Sequence, residues 1–278
     1  MQSLRAVEQW PVEHVAVAVV TADGRTRGTH GPQDREFRLA SVTKLLTAYA
    51  VLLAVEEGAI EWDTPAGPEG STMRHLIAHA SGLDVTEHRV VARPGTRRIY
   101  STPGFEVLAE AVHEASGIPF DRYLGEAVLR PLGMGSTELR GSPGVGVVCT
   151  AADLARFAAE LQAPTLVARE TLAEATRVAF PGLRGVLPGY GRQNPNDWGL
   201  GFELKDEKTP HWTGARNSSG TFGHFGSKPG SATFLWVDPA AGLVCAALAD
   251  LDFGDWAREA WPALSDAVLS DSGVRDAL

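Results

Sequence analysis

Apolar residues crowd the stretch 45–55. Leu45, Leu46, Ala48, Tyr49, Val51, Leu52, Leu53, Ala54 and Val55 cover nearly the whole circumference of a helix. Such a pattern predicts a helix buried on most sides, and Gly58 supplies its stop. Elsewhere the period changes along the chain. Residues 2–9 read as a short amphipathic helix, 12–20 as a buried strand, and 25–30 as a second strand across an Asp23-Gly24 turn. Between 61 and 190, helical patterns broken by Gly and Pro predict helices at 72–79, 104–116, 120–128, 151–161 and 168–178. From Trp198 onward the pattern turns to strands at 200–204, 221–225, 231–237 and 243–249, followed by a closing helix at 253–269. The stretch 182–196 reads as a loop.

Strands thus come from both ends, with a mostly helical segment between them. The expectation is an α+β chain: a central antiparallel sheet flanked by helices, with an inserted helical lobe. All 278 residues form one domain, with a sheet lobe at about 1–60 and 198–278 and a helical lobe at about 61–197. A cleft between such lobes is a usual place for a small-molecule site.

Composition narrows the classes. A net charge of −9 argues against nucleic acid and against an anionic membrane surface as partner. No apolar run approaches the roughly 18 residues a membrane span needs. The first ten residues lack a basic segment followed by an apolar core, so a cytoplasmic protein is expected. Cys149 and Cys245 sit in apolar surroundings and read as buried free thiols.

The chemistry begins just ahead of the buried helix, at Ser41-Val-Thr-Lys44. A serine hydroxyl needs a base within hydrogen-bond reach to act as a nucleophile. Residues i and i+3 share a helix face, so Ser41 and Lys44 meet if the segment is helical. A lysine in the first turn of a buried helix is expensive without partners and a purpose, and desolvation can make it a usable base. On its own S-x-x-K is a weak signal, since a helix with Ser41 near its N-cap and a solvated Lys44 shows the same pattern. His75 and His79 stand at i, i+4 spacing. No Glu follows the first His, and no third ligand is evident, so no metal site is read there. Residues 79–83 read instead as a helix end with Gly82 as the stop. Phe234, Trp236, Phe253, Trp256 and Trp261 read as core.

Six segments in order carry a resemblance. They are Phe37-Arg-Leu-Ala-Ser-Val-Thr-Lys44, Leu76-Ile-Ala-His-Ala-Ser-Gly-Leu83, Tyr100-Ser-Thr-Pro-Gly-Phe105, Leu129-Arg-Pro-Leu-Gly-Met134, Thr150-Ala-Ala-Asp-Leu-Ala-Arg156 and Gly223-His-Phe-Gly226. Together they resemble the serine β-lactamase and penicillin-binding-protein superfamily, nearest its class C β-lactamase, D-stereospecific peptidase and esterase branch. The resemblance implies the same sheet-and-helical-lobe fold. It implies Ser41 as the acylated nucleophile, Lys44 as its base or proton holder, and Tyr100 as proton shuttle, with a phenol pKa lowered by the nearby lysine. Backbone N–H groups of Ser41 and Ser227 would form the oxyanion hole. Gly226 would let a substrate backbone approach. His224 would orient Tyr100 or substrate and titrate near neutrality.

Two positions depart from the pattern. Thr102 stands where relatives carry asparagine, and His224 stands where penicillin-binding proteins carry lysine. Both weaken the case for β-lactams and D-Ala-D-Ala ends. Lys228 and Arg216 are the candidates for a replacement charge. The sequence therefore points to a serine hydrolase on ester or amide carbonyls, esterase-like, with acyl transfer to a second acceptor as an extension. It takes a small-molecule acyl substrate and needs no cofactor. A β-lactamase or D-alanyl-D-alanine carboxypeptidase is the alternative enzyme, and a non-catalytic binding module is the alternative of another class. The oligomeric state stays open.

Overall fold

Alternation along the strands decides which way each face of the sheet looks. The computed structural model describes residues 1–273. Its principal sheet contains β1 (Val15–Thr21) and β2 (Thr26–His30) from the start of the chain. From the end come β8 (Glu203–Leu204), β9 (Phe222–Lys228), β10 (Ser231–Asp238) and β11 (Leu243–Ala249). The order is β2-β1-β11-β10-β9-β8, with every neighbour antiparallel. Strands β10 and β11 are buried along their whole length, as expected where both faces are covered.

On one face Leu235, Val237, Val244, Ala246 and Leu248 pack with α1 (Thr43–Glu56), which is buried from Thr43 to Ala54. On the other face Phe234, Trp236, Cys245 and Ala247 pack with Leu4, Val7, Trp261, Leu264 and Val268. Leu4 and Val7 belong to the N-terminal 3₁₀ helix Gln2–Gln9, and Trp261 to Val268 to the closing helix Asp255–Asp271. The all-round apolar pattern of α1 is therefore a helix enclosed by its own domain. Gly58, just beyond its end, takes a φ of +72°. Leu52 is fully buried in this core. Leu52→Ala should lower the unfolding free energy by about 2–5 kcal/mol in a urea titration.

Further elements cover the α1 side. They are β3 (Glu36–Arg38), α2 (Met73–Ile77), α3 (Thr102–Ser116), α4 (Phe120–Leu124), β4 (Glu138–Leu139), β5 (Val147–Thr150), α5 (Ala151–Gln162) and α6 (Arg169–Ala175). Strands β3, β5 and β4 make a small second sheet. The predicted helix 120–128 divides, with α4 passing into a wider π turn, Gly125–Leu129. The predicted strand 200–204 reduces to β8. Gly201 turns at φ +90°, and a Cβ there would fall 2.2 Å from that of Ala48 on α1.

Two local expectations are corrected. Helix α2 stops at Ile77, and His79 itself adopts φ +55°, so Gly82 is not the helix stop and His75 and His79 do not share a helix face. The predicted loop 182–196 contains a hairpin, β6 (Gly185–Leu187) paired with β7 (Gly191–Gln193). Arg98 ties it down. Its backbone N–H donates to the Arg184 carbonyl (2.9 Å). Its buried guanidinium donates to the carbonyls of Ala78 (2.5 Å), Ala179 (2.7 Å), Phe180 (3.1 Å) and Asn196 (3.1 Å).

Candidate active site

The turn that carries Ser41 is pinned from both sheets. Leu39 donates to the Val147 carbonyl (2.9 Å), and its own carbonyl accepts from Thr233 Oγ1 (2.7 Å). Val147 N–H donates to Thr43 Oγ1 (3.1 Å), and Ser231 Oγ donates to the Arg38 carbonyl (2.6 Å). Ala40 sits at φ +48°, a costly conformation for a residue with a Cβ. Ser41 follows in a single 3₁₀ turn, Ala40–Val42, that runs into α1.

Lys44, one turn on, is 0% exposed. Its ammonium nitrogen lies 3.5 Å from Ser41 Oγ, 3.2 Å from Thr102 Oγ1 and 2.9 Å from the carbonyl oxygen of Gly144. Burial, helped by the Lys228 charge and opposed by Glu106, pushes the Lys44 pKa down to about 7. Thr102 thus occupies the asparagine position and still reaches the lysine. The Gly144 carbonyl had no sequence signal, because a main-chain acceptor is invisible to side-chain patterns. Lys228 is close enough to act on Lys44. The backbone of Arg216 is bonded to Asp266 of the closing helix (2.7 Å).

Tyr100 is brought to the same place. Lys44 Nζ stands 4.7 Å from the centre of its ring, over the π face. Its hydroxyl is buried with no hydrogen-bond partner among the described residues. Burial drives the phenol pKa upward, and nearby Ser41 only partly opposes this. The expected lowering of the phenol pKa is therefore corrected: the cation faces the ring, and desolvation of the phenolate wins.

His224 is placed by alternation. It pairs with Leu235 on β10, so it shares the sheet face that looks toward α1. Its ring lies 5.5 Å from that of Tyr100 and 5.3 Å from that of Trp198. Burial, then the Lys44 charge, push its pKa down to about 3. The expectation of titration near neutrality is corrected, and the ring is neutral throughout the physiological range. Both ring nitrogens are buried and unpartnered among the described residues.

His79, expected at a helix end, joins this cluster instead. Its ring is 4.7 Å from Tyr100 and 4.6 Å from Trp198. The Ser101 N–H donates to its Nδ1 (3.1 Å), which places the proton of the neutral ring on Nε2. Behind the cluster, on β8, Glu203 is buried among Lys208 (3.2 Å), His211 (2.9 Å) and Trp212 (2.5 Å). Burial alone would raise its carboxyl pKa, but Lys208 and His211 outweigh it and hold it at about 2.

Gly226 explains how β9 comes so near Ser41. A Cβ at this position would lie 2.3 Å from the Leu39 carbonyl oxygen, 2.5 Å from Thr233 Oγ1 and 2.9 Å from the Ser41 backbone nitrogen. Only a residue without a side chain permits that contact. Ser227, the next residue, is exposed, so the strand leaves the core at this edge. Ser41, Lys44, Tyr100, Thr102, His224 and Gly226 therefore gather at one place, with Ser227 on the solvent side.

The chain is similar in sequence and fold to several known proteins. A solved β-lactamase from Mycobacterium bovis (Mb2281c) is 55% identical, with a TM-score of 0.94 over 97% of this chain and 99% of that one. Simvastatin synthase (LovD) from Aspergillus terreus is 18% identical with a TM-score of 0.77, covering 98% of this chain and 93% of its own, a likeness of fold. Among curated proteins, the D-alanyl-D-alanine-carboxypeptidase/endopeptidase AmpH of Escherichia coli (strain K12) is 29% identical over 147 residues, 40% of this chain and 38% of AmpH. Penicillin-binding protein 4* of Bacillus subtilis (strain 168) is 26% identical over 136 residues, 37% of this chain and 30% of that protein. The matches thus span well under half the length of these curated relatives. No helix among the described residues is long and apolar enough to cross a membrane. The Beta-lactamase family model matches residues 5–269, nearly the whole length, and the chain belongs to that family of serine hydrolases.

Proposed function

We propose that the protein is an esterase-like serine hydrolase that forms an acyl-Ser41 intermediate on small ester or amide substrates, with transfer to a second acceptor as an extension. The observation that carries the reading is a fully buried lysine whose pKa is brought to about 7 and whose nitrogen lies 3.5 Å from a serine oxygen. With its pKa lowered by burial, Lys44 is available near neutrality as the unprotonated amine, which takes the Ser41 proton as Oγ attacks the carbonyl carbon. The backbone N–H groups of Ser41 and Ser227 receive the developing oxyanion. As the tetrahedral intermediate collapses, the leaving group departs with a proton delivered through the Tyr100 hydroxyl. Tyr100 keeps its own proton at rest, because burial raises its pKa. Neutral His224, with two free ring nitrogens, orients Tyr100 or the substrate. Water or an acceptor alcohol then repeats the sequence in reverse on the acyl-enzyme. The buried free thiols of Cys149 and Cys245 fit a reducing compartment, and a cytoplasmic site of action is part of the proposal.

A second reading, β-lactamase or D-alanyl-D-alanine carboxypeptidase, is favoured by the names of the M. bovis structure and of AmpH. Against it, neutral His224 offers no charge for a substrate carboxylate, and Thr102 has no amide N–H₂ to donate. A binding module would have no use for a lysine held at this pKa beside a serine hydroxyl. Labelling separates the three. Incubation with a fluorophosphonate and, separately, with a fluorescent penicillin, followed by mass spectrometry, should give a fluorophosphonate adduct on Ser41 alone. Adducts from both probes would restore the β-lactam reading, and no adduct from either would leave the binding module.

A further inference from the structure

Next to the catalytic cluster lies a cavity of about 760 Å³ whose wall includes Tyr100 but neither Ser41 nor Lys44. Its size suits a small-molecule ligand. The hairpin and the segment before Tyr100 build it together. Arg98 bridges Gly185 in parallel; the Arg98 side chain is buried there, and Gly185 packs directly against the Arg98 backbone. The flanking Arg97, Arg184 and Val186 are exposed, Ile99 is half-buried, and all four line the cavity. Across the hairpin Val186 pairs with Arg192, which adds a third arginine to the same face.

Arg97, Arg184 and Arg192 are exposed and line the cavity with Val85 and Val186. Among the described residues none of the three has a side-chain hydrogen bond or ion pair. No acidic residue lines the cavity. Like charges set side by side on one face repel, and a chain with 34 acidic and 25 basic residues had ample means to pair them. Three unpaired guanidiniums over a part-apolar wall are a site for an anion of more than one charge. One carboxylate would be satisfied by a single guanidinium fork, whereas a phosphate presents three oxygens and up to two charges.

We infer that this cavity holds a phosphate carried by the leaving group, so that the acyl donor is an ester of a phosphorylated alcohol. The inference rests on the acyl-Ser41 reading. Tyr100, the residue proposed to protonate the departing oxygen, borders the cavity, and on that adjacency the phosphate is assigned to the leaving-group side. The bond formed is Ser41 Oγ to acyl carbon, and the bond broken is acyl carbon to the alcohol oxygen. The Ser41 proton ends on that oxygen, and the phosphate is bound and released unchanged.

The test compares 4-acetoxyphenyl phosphate with neutral 4-acetoxyphenol, two esters of similar phenols. At low ionic strength kcat/KM should favour the phosphorylated ester by about 10- to 100-fold, the scale of charge-assisted hydrogen bonds. Added salt should shrink that preference. The triple substitution Arg97→Gln, Arg184→Gln, Arg192→Gln should bring the ratio near one while leaving turnover of 4-acetoxyphenol within about twofold and the Tm unchanged, since all three side chains are exposed. Equal rates on the two esters, or a preference that survives the triple substitution, would overturn the inference while Ser41-dependent turnover of 4-acetoxyphenol still upheld the hydrolase reading. If neither ester is turned over, the hydrolase reading falls. Calorimetry with phenyl phosphate then decides the cavity by itself: binding lost in the triple variant upholds an anion site, and no binding overturns it.

Discussion

Lys44→Met should abolish acylation of Ser41 and at the same time make the protein more stable. A positioned general base contributes about 10²–10⁴-fold, and loss of that magnitude is expected in the second-order rate with p-nitrophenyl esters and with a fluorophosphonate. In the native protein both rates should rise with pH through about 7, where the buried amine gives up its proton. The variant should show no such limb. Unchanged ester turnover in the variant would remove Lys44 from the mechanism. The stability sign follows from linkage. Between about 7 and the ordinary 10.5 the unfolded chain binds a proton that the folded chain does not, so stability rises with pH across that window and is lowest below it. A shift of this size is on the order of a few kcal/mol. Methionine removes the penalty but strands the Gly144 carbonyl, whose partner at 2.9 Å is lost. The net expectation is a gain of about 1–3 kcal/mol near pH 7 by urea unfolding.

Gly226→Ala should cost nearly as much activity by another route. The added methyl would meet the Leu39 carbonyl oxygen, Thr233 Oγ1 and the Ser41 nitrogen at 2.3–2.9 Å, and two of the three are main-chain atoms that cannot swing aside. Strand β9 must then move away from the Ser41 turn. That motion separates the two proposed oxyanion donors, and loss of one such donor costs about 10²–10³ in kcat. The KM for a small ester should change far less, because the ground-state carbonyl is not what the hole holds. A variant with native kcat would show that the Ser41 and Ser227 N–H groups do not act together.

How much of this was legible in the sequence follows from where the information resides. Helix α1 was readable because its apolar residues leave no polar face, and β11 because an unbroken apolar run between turn residues admits little else. The pairing of Ser41 with Lys44 followed from helix geometry. The titration behaviour of Tyr100 and His224 did not, because it depends on burial created by distant segments. A lysine beside a tyrosine in sequence logic stands, in space, over the ring and not at the hydroxyl. The hairpin 185–193 was hidden because its strands, Gly-Val-Leu and Gly-Arg-Gln, are three residues each, too short to show an alternating pattern. In sequence His79 reads as a helix end, yet its left-handed backbone turns the ring in among Tyr100 and Trp198.

Arg98 sets the thermodynamic character of whatever occupies the neighbouring cavity. Four carbonyls from three separate segments converge on one guanidinium, so the wall is already assembled before any guest arrives. A host stiffened in this way loses little disorder on association, and selectivity there should come from fit to a fixed mould, with slow adaptation to bulkier guests.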